Sequence, residues 1–202
     1  TVAVNRLRPR TYAGYQTTIE KHLIPALGRH QLRKLEPEHV QRYVNEKAKT
    51  LSPKSVQHHH ALLRRALRVA ESRGHVSRNV ARLVDVPTVR SVEIVPPSPE
   101  QVASLLATVK GHRFEPLFRV ALGTGMRQSE ILGLKWSDID LDAGTLRVER
   151  SLQRYGGAFH LDDVKTQKSR RTIALSAPVV AALREQRTRQ VEERLLAGRL
   201  WK

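Results

Sequence analysis

Cysteine is absent, so neither a disulfide framework nor a thiolate metal site can hold this chain together. Aromatic residues make up only 4% of its 202 positions, which leaves Leu, Val and Ala to fill any core. No apolar run approaches the roughly 20 residues that span a bilayer, and no secretory leader is visible. An intracellular setting is expected, without a membrane. Acidic residues are also scarce, 19 against 36 Lys and Arg. The chain opens on Thr1 rather than Met and closes on Trp201-Lys202 just beyond a helical pattern, so it reads as a fragment of a longer polypeptide.

What is present in excess is positive charge. A formal +17 is too large for incidental surface decoration and attracts polyanions over a Debye length of about 10 Å or more. Nucleic acid is the expected partner. The charge is uneven across a Pro-rich break, Val86 to Glu100. Residues 1 to 90 carry 18 basic and 6 acidic side chains, net +12, while 91 to 202 carry 18 and 13, net +5. The first segment is the electrostatic anchor.

That segment reads as all helical. Tyr12, Tyr15, Ile19 and Leu23 recur at helical spacing after Pro9, and a second helix entering through Pro37 aligns Val40, Tyr43 and Val44. In a third, Ser52 is the N-cap and Pro53 the first residue, with Val56, Leu63, Leu67 and Ala70 as its apolar stripe until Gly74. Lys54, His58, Arg64, Arg65 and Arg68 lie largely off that stripe. The run His58-His59-His60 suggests a metal at first sight. Adjacent helical positions point about 100° apart and share one ion poorly, so no metal site is assigned. His60 is expected to face the core, with His58 available to DNA.

Past the break, Ser98 to Gln101 forms a capping-box pattern ahead of Val102, Leu105, Leu106 and Val109. Leu117 to Leu122 suggests a buried helix. The period then changes: Asp142-Ala143-Gly144 reads as a turn and Thr145 to Arg150 alternates as a strand. "HLDDVKT" and "RRTIAL" read as two further strands joined by the polar turn "QKSR", and Pro178 to Leu196 returns to helix, with Arg184, Arg187 and Arg189 as a solvated face. The expected organisation is a helical domain over 1–86, a linker over 87–98 and a mixed domain over 99–202. The fold class is mainly α, with a small three-stranded antiparallel sheet among the helices of the second domain.

Two residues could carry chemistry. In "GTGMRQSEILGLKWSDID", Gly123 to Asp140, a Gly-Thr-Gly turn delivers Arg127 to a helix start. There orphan N–H groups and the dipole add to its charge, and its fork can grip two phosphate oxygens. Gly123 and Gly125 permit the sharp turn. The same spacing allows a structural ion pair with Glu130, and spacing alone does not separate the two. Lys165 lies at a strand end beside a polar turn, where a lysine can reach into a groove and protonate an oxyanion, or simply remain solvated.

Together these stretches resemble the tyrosine recombinase (phage integrase) family. "ALGTGMRQSEILGLKWSDIDLD" is similar to its first catalytic-arginine box and "VKTQKSRRTIALS" to its lysine hairpin, with Arg127 and Lys165 separated by 38 positions in the family's order. "RTYAGYQTTIEKHLIPALG", "LSPKSVQHHHALLRRAL" and the exit at Asn79 resemble its helical, SAM-like core-binding domain; the remainder resembles part of its α+β catalytic domain. The resemblance implies a site-specific integrase acting on double-stranded DNA without metal or nucleotide, through a 3′-phosphotyrosyl intermediate. Arg127 is then the phosphate-clamping arginine and Lys165 the general acid, with Glu130 and Asp138 as supports of the arginine's loop. Candidate DNA contacts are Arg10, Thr11 and Tyr15, then Lys54, His58 and Arg65, and in the hairpin Arg171. A tetramer on paired sites is implied for the full-length protein, in a bacterial or phage-encoded, cytoplasmic and nucleoid-associated setting.

The family pattern continues with a His-x-x-Arg box and a nucleophilic tyrosine. The tyrosines here are Tyr12, Tyr15, Tyr43 and Tyr155, and none occupies the nucleophile's place. The 202 residues alone are therefore expected to bind DNA without forming the covalent intermediate. The alternative is a non-catalytic DNA-binding relic or regulator that occupies recombination sites.

Overall fold

A computed structural model of the chain describes residues 7–91, 93–164 and 169–201. Two compact units divide between Ile94 and Val95.

In the first unit, α1 (Pro9–Thr18) starts on Pro9, whose missing N–H is one the first turn leaves unpaired in any case. It runs through one π turn, Ile19–Leu23, into the short α2 (Ile24–Leu27). Pro25, which has no N–H to give the carbonyl of Lys21, sits directly beyond that wider turn. The expected stripe breaks here: Leu23 is buried but Ile19 is exposed, because a π turn rotates the residues after it relative to a 3.6-residue period.

Helix α3 (Pro37–Ala48) buries Val40, Tyr43 and Val44, and α4 (Pro53–Ser72) buries Val56 and Leu67. Ser52 Oγ caps α4 by accepting the Ser55 N–H at 3.2 Å, and Gly74 follows its end at φ +72°. Asn79 then fixes the exit. Its side chain donates to the Arg64 carbonyl (2.8 Å) and accepts from the Ala81 N–H (3.2 Å), which sets Val80, Ala81 and Val84 into the core. Each valine buried this way contributes about 1.5–3 kcal/mol relative to exposure. Gln41 clasps the backbone of Asp85 from both sides (2.9 and 3.1 Å), and Gln57 donates to the Pro87 carbonyl (2.9 Å). The chain stays attached to the helical unit through Pro87.

In the second unit, Ser98 and Gln101 exchange reciprocal hydrogen bonds (3.3 and 2.8 Å) at the start of α5 (Pro99–Thr108). Helix α6 (Glu115–Thr124) buries Val120, while Leu117 is half-buried and Leu122 exposed, so only one side of the expected buried helix faces inward. It ends at Gly125, φ +61°, whose N–H closes on the Ala121 carbonyl (3.0 Å). One turn of helix, α7 (Gln128–Ile131), follows.

The β structure forms two antiparallel groups. Strands β1 (Ile139–Asp140), β2 (Thr145–Val148) and β5 (Arg171–Ala174) make a three-stranded sheet in the order β1-β2-β5, with Leu146 opposite Ile173. Strands β3 (Arg150–Tyr155) and β4 (Ala158–Asp163) pair separately, with Leu152 opposite Leu161. The stretch read as "HLDDVKT" thus belongs to a hairpin with β3, and β5 pairs with β2. The β3–β4 turn is Gly156-Gly157, both at positive φ (58° and 81°), the conformation a two-residue hairpin loop demands. Helix α8 (Ala177–Ala197) packs Val179 and Leu183 onto Val120, Met126, Leu146 and Val148.

Candidate functional site

Arg127 stands at the junction of α6 and α7 in extended conformation (φ −69°, ψ 144°). Met126, buried beside it, anchors this junction in the core. Gly125 supplies the left-handed turn. Gly123 does something different from the expected loop flexibility: it lies within α6, where a β-carbon would stand 2.6 Å from Val179 Cγ2, so its missing side chain lets α6 and α8 approach. Helix α7 is a single turn, too short to present the dipole that the sequence suggested.

The charge at this junction is organised by Glu130. Its side chain is only 4% exposed, yet it carries three hydrogen bonds. Oε1 accepts from Arg127 Nη1 (2.8 Å), and Oε2 accepts from Arg171 Nη2 (2.9 Å) and from the backbone N–H of Arg127 (3.1 Å). Burial pushes the carboxyl pKa up. The hydrogen bonds from Arg171 and then Arg127 outweigh it and hold the group below its ordinary value. The result is two guanidiniums on one carboxylate, a local excess of positive charge. Arg127 keeps 73% of its side chain exposed, against 33% for Arg171, whose Nη1 also donates to the Ser169 carbonyl (3.3 Å). Arg127 therefore forms the ion pair with Glu130 and still presents its guanidinium to solvent.

Asp138 serves a neighbouring junction. It accepts both Nη atoms of Arg150 (2.8 and 3.0 Å) and the backbone N–H of Lys135 (2.9 Å), which ties the segment after α7 to the start of β3. Burial raises this carboxyl, and the bond from Arg150 leads the set that lowers it below its usual range. Lys165 lies outside the described residues. On α8 the expected solvated arginines are engaged: Arg184 pairs with Asp142 (2.9 Å), Arg189 donates to the Arg113 carbonyl (3.3 Å), and Arg187 lies 5.9 Å from the Trp136 ring centre. Arg184 and Arg187 stay exposed and Arg189 is half-buried, so the face is solvated as expected while its arginines also find local partners.

In the helical unit Arg10 and Thr11 are exposed on α1, and Lys54, His58 and Arg65 are exposed on α4. The last three share one helix face by their spacing of four and seven. Tyr15 is half-buried, its ring 5.8 Å from that of His58, so α1 and α4 bring these two residues to a common surface. On the neighbouring flank Arg64, Arg65, Arg68, Arg82 and Asn79 line a cavity of about 370 Å³. The three consecutive histidines diverge as helical geometry requires. His58 is exposed, His59 bonds the Tyr43 hydroxyl (2.8 Å), and His60 Nε2 lies 2.6 Å from the Ala81 carbonyl oxygen. The burial of His59 and the roles of Gly123 and Arg171 were missed by sequence reasoning, because each depends on a partner at least 16 residues away.

Among the described residues no helix is long and apolar enough to cross a membrane. Two family models match separate stretches of the chain. Residues 1–48 match the phage integrase N-terminal SAM-like domain, and residues 98–197 match the phage integrase family. An integrase of Streptomyces ambofaciens is 36% identical over 197 residues, covering 90% of this chain and 48% of that protein. A XerC-like tyrosine recombinase of Caldanaerobacter subterraneus subsp. tengcongensis is 32% identical, covering 80% and 46%. The chain thus spans about half the length of these relatives. Among solved structures, the Tn1549 transposon integrase in complex with a circular intermediate DNA superposes with a TM-score of 0.78 at 23% identity, covering 91% of this chain and 61% of that one. A lambda integrase tetramer bound to a Holliday junction gives 0.64 at 19%, covering 82% and 48%. The chain belongs to the phage integrase family, the tyrosine recombinases.

Proposed function

We propose that this chain is the duplex-binding and phosphate-orienting part of a site-specific DNA recombinase that works in the cytoplasm. The observation that carries this reading is the exposed Arg127 guanidinium, resting on buried Glu130 beside a second arginine in a chain of net charge +17. The basic α1 and α4 surface, with Arg10, Thr11, Tyr15, Lys54, His58 and Arg65, supplies phosphate and groove contacts. Arg127 binds the nonbridging oxygens of the scissile phosphate, where negative charge grows in the transition state, so a guanidinium delivered there stabilises that state more than the ground state. Lys165 protonates the leaving 5′ oxygen, and a tyrosine of the complete protein forms the 3′-phosphotyrosyl bond. Because that bond conserves phosphodiester energy, the cycle needs neither nucleotide nor metal. Paired sites are synapsed by a tetramer.

The test separates chemistry from binding. In a protein that carries this chain together with the family's tyrosine, Arg127→Ala lowers strand cleavage by about 100-fold or more. Duplex affinity, measured in parallel, falls no more than about tenfold. Equal losses in both would return Arg127 to a binding or structural role.

A further inference from the structure

Glu130 offers two oxygens to two arginines of unequal freedom. Arg171 is fixed: it opens β5, is paired across the sheet with Val148, is anchored to the Ser169 carbonyl and is 33% exposed. Arg127 sits on the junction between two helices and is 73% exposed. They bind different oxygens, Arg127 Nη1 on Oε1 and Arg171 Nη2 on Oε2, where the backbone N–H of Arg127 joins in. If the Arg127 side chain swings away, Oε1 loses that bond while Oε2 keeps two. Without Arg171, the same swing would leave a carboxylate with 4% exposure facing no side-chain cation from this cluster, which is strongly unfavourable.

Resting on the assignment of Arg127 to a DNA phosphate, we propose that Arg171 is a positioning residue that neutralises Glu130, so that the Arg127 guanidinium can leave the carboxylate and bind a phosphate. Arg171 thereby acts through Glu130 and does not itself contact DNA, which replaces its sequence-based assignment as a DNA contact. The sheet strand and the α6–α7 junction, 41 residues apart in sequence, are coupled by a single shared carboxylate.

A double-mutant cycle on duplex affinity tests the coupling. In the wild-type chain Arg127→Ala weakens binding to a duplex oligonucleotide by about threefold to tenfold, the loss of one charged phosphate contact. In an Arg171→Gln background Arg127 is drawn onto Glu130, and Arg127→Ala changes affinity by less than about twofold. Glu130→Gln added to Arg171→Gln removes the charge that needs neutralising and restores the larger effect, whereas Arg171→Lys keeps it throughout. An Arg127→Ala effect of equal size in the wild-type and Arg171→Gln backgrounds overturns the proposal, as does failure of Glu130→Gln to restore it.

A second readout needs no DNA. The 13C carboxyl resonance of Glu130 moves its titration midpoint upward in both variants, and further in Arg171→Gln than in Arg127→Ala. The reverse order overturns the proposal. The expected titration with no duplex binding by the wild-type chain would instead fault the DNA reading beneath it.

Discussion

Gly123 on α6 and Val179 on α8 meet so closely that a β-carbon on Gly123 would stand 2.6 Å from Val179 Cγ2. Val179 is β-branched, stiff in a helix and 3% exposed, so it has little freedom to move aside. Gly123→Val must therefore separate the two helices that carry the Arg127 junction and the sheet. We expect a loss of about 2 kcal/mol in the stability of the second unit, read by denaturant unfolding. Gly14→Ala is the counterpart. That glycine lies in α1 with nothing within 4 Å of its would-be β-carbon, so alanine should stabilise the first unit by up to about 1 kcal/mol through helix propensity.

The Asp138–Arg150 pair is bidentate and largely enclosed, with side-chain exposures of 4% and 24%. Asp138→Ala strands Arg150 and the Lys135 N–H together, and should cost about 3 kcal/mol in unfolding experiments at neutral pH. Because this carboxyl is held below its ordinary value of 3.8, its contribution is complete above that value and disappears as the pH falls below it. The difference between wild type and Asp138→Ala should accordingly shrink in acid.

His59 gives the opposite kind of group, a base held neutral. Burial first, then the charges of His22, His58 and Lys47, bring its pKa from 6.5 down to about 4. The Tyr43 hydroxyl bonds its Nδ1, and the His22 ring, whose Nδ1 has no hydrogen-bond partner among the described residues, lies 4.6 Å away. The unfolded chain takes up the proton first, so the first unit keeps its full stability above pH 6.5 and loses about 2 kcal/mol as the pH falls toward 4. Unfolding free energies measured across that range should show the slope in the wild type and a smaller one in His59→Gln.

The elements legible in the sequence were those whose signals are local. Ser52-Pro53, the Ser98–Gln101 box and the Val40, Tyr43, Val44 stripe each place their partners within a few residues, and the helices formed there. The Gly156-Gly157 turn was an equally local signal for the β3–β4 hairpin and was passed over in favour of the polar turn near Lys165. Strand pairing was less accessible, since β2 and β3 run almost continuously yet choose different neighbours. At the site, the Arg127–Glu130 pair was readable from its three-residue spacing. The second arginine on Glu130 was not, because nothing in a strand's alternation tells that Arg171 turns toward a buried carboxylate 41 positions earlier.

Everything proposed for Arg127 rests on this chain binding duplex DNA through phosphate contacts. Its most direct measurement is the affinity of the 202-residue chain for a duplex oligonucleotide across a series of salt concentrations. With six or more phosphates neutralised, log K against log salt should fall with a slope of about −5 or steeper, a loss of about a thousandfold between 50 and 200 mM. An affinity that hardly changes over that range would contradict the account.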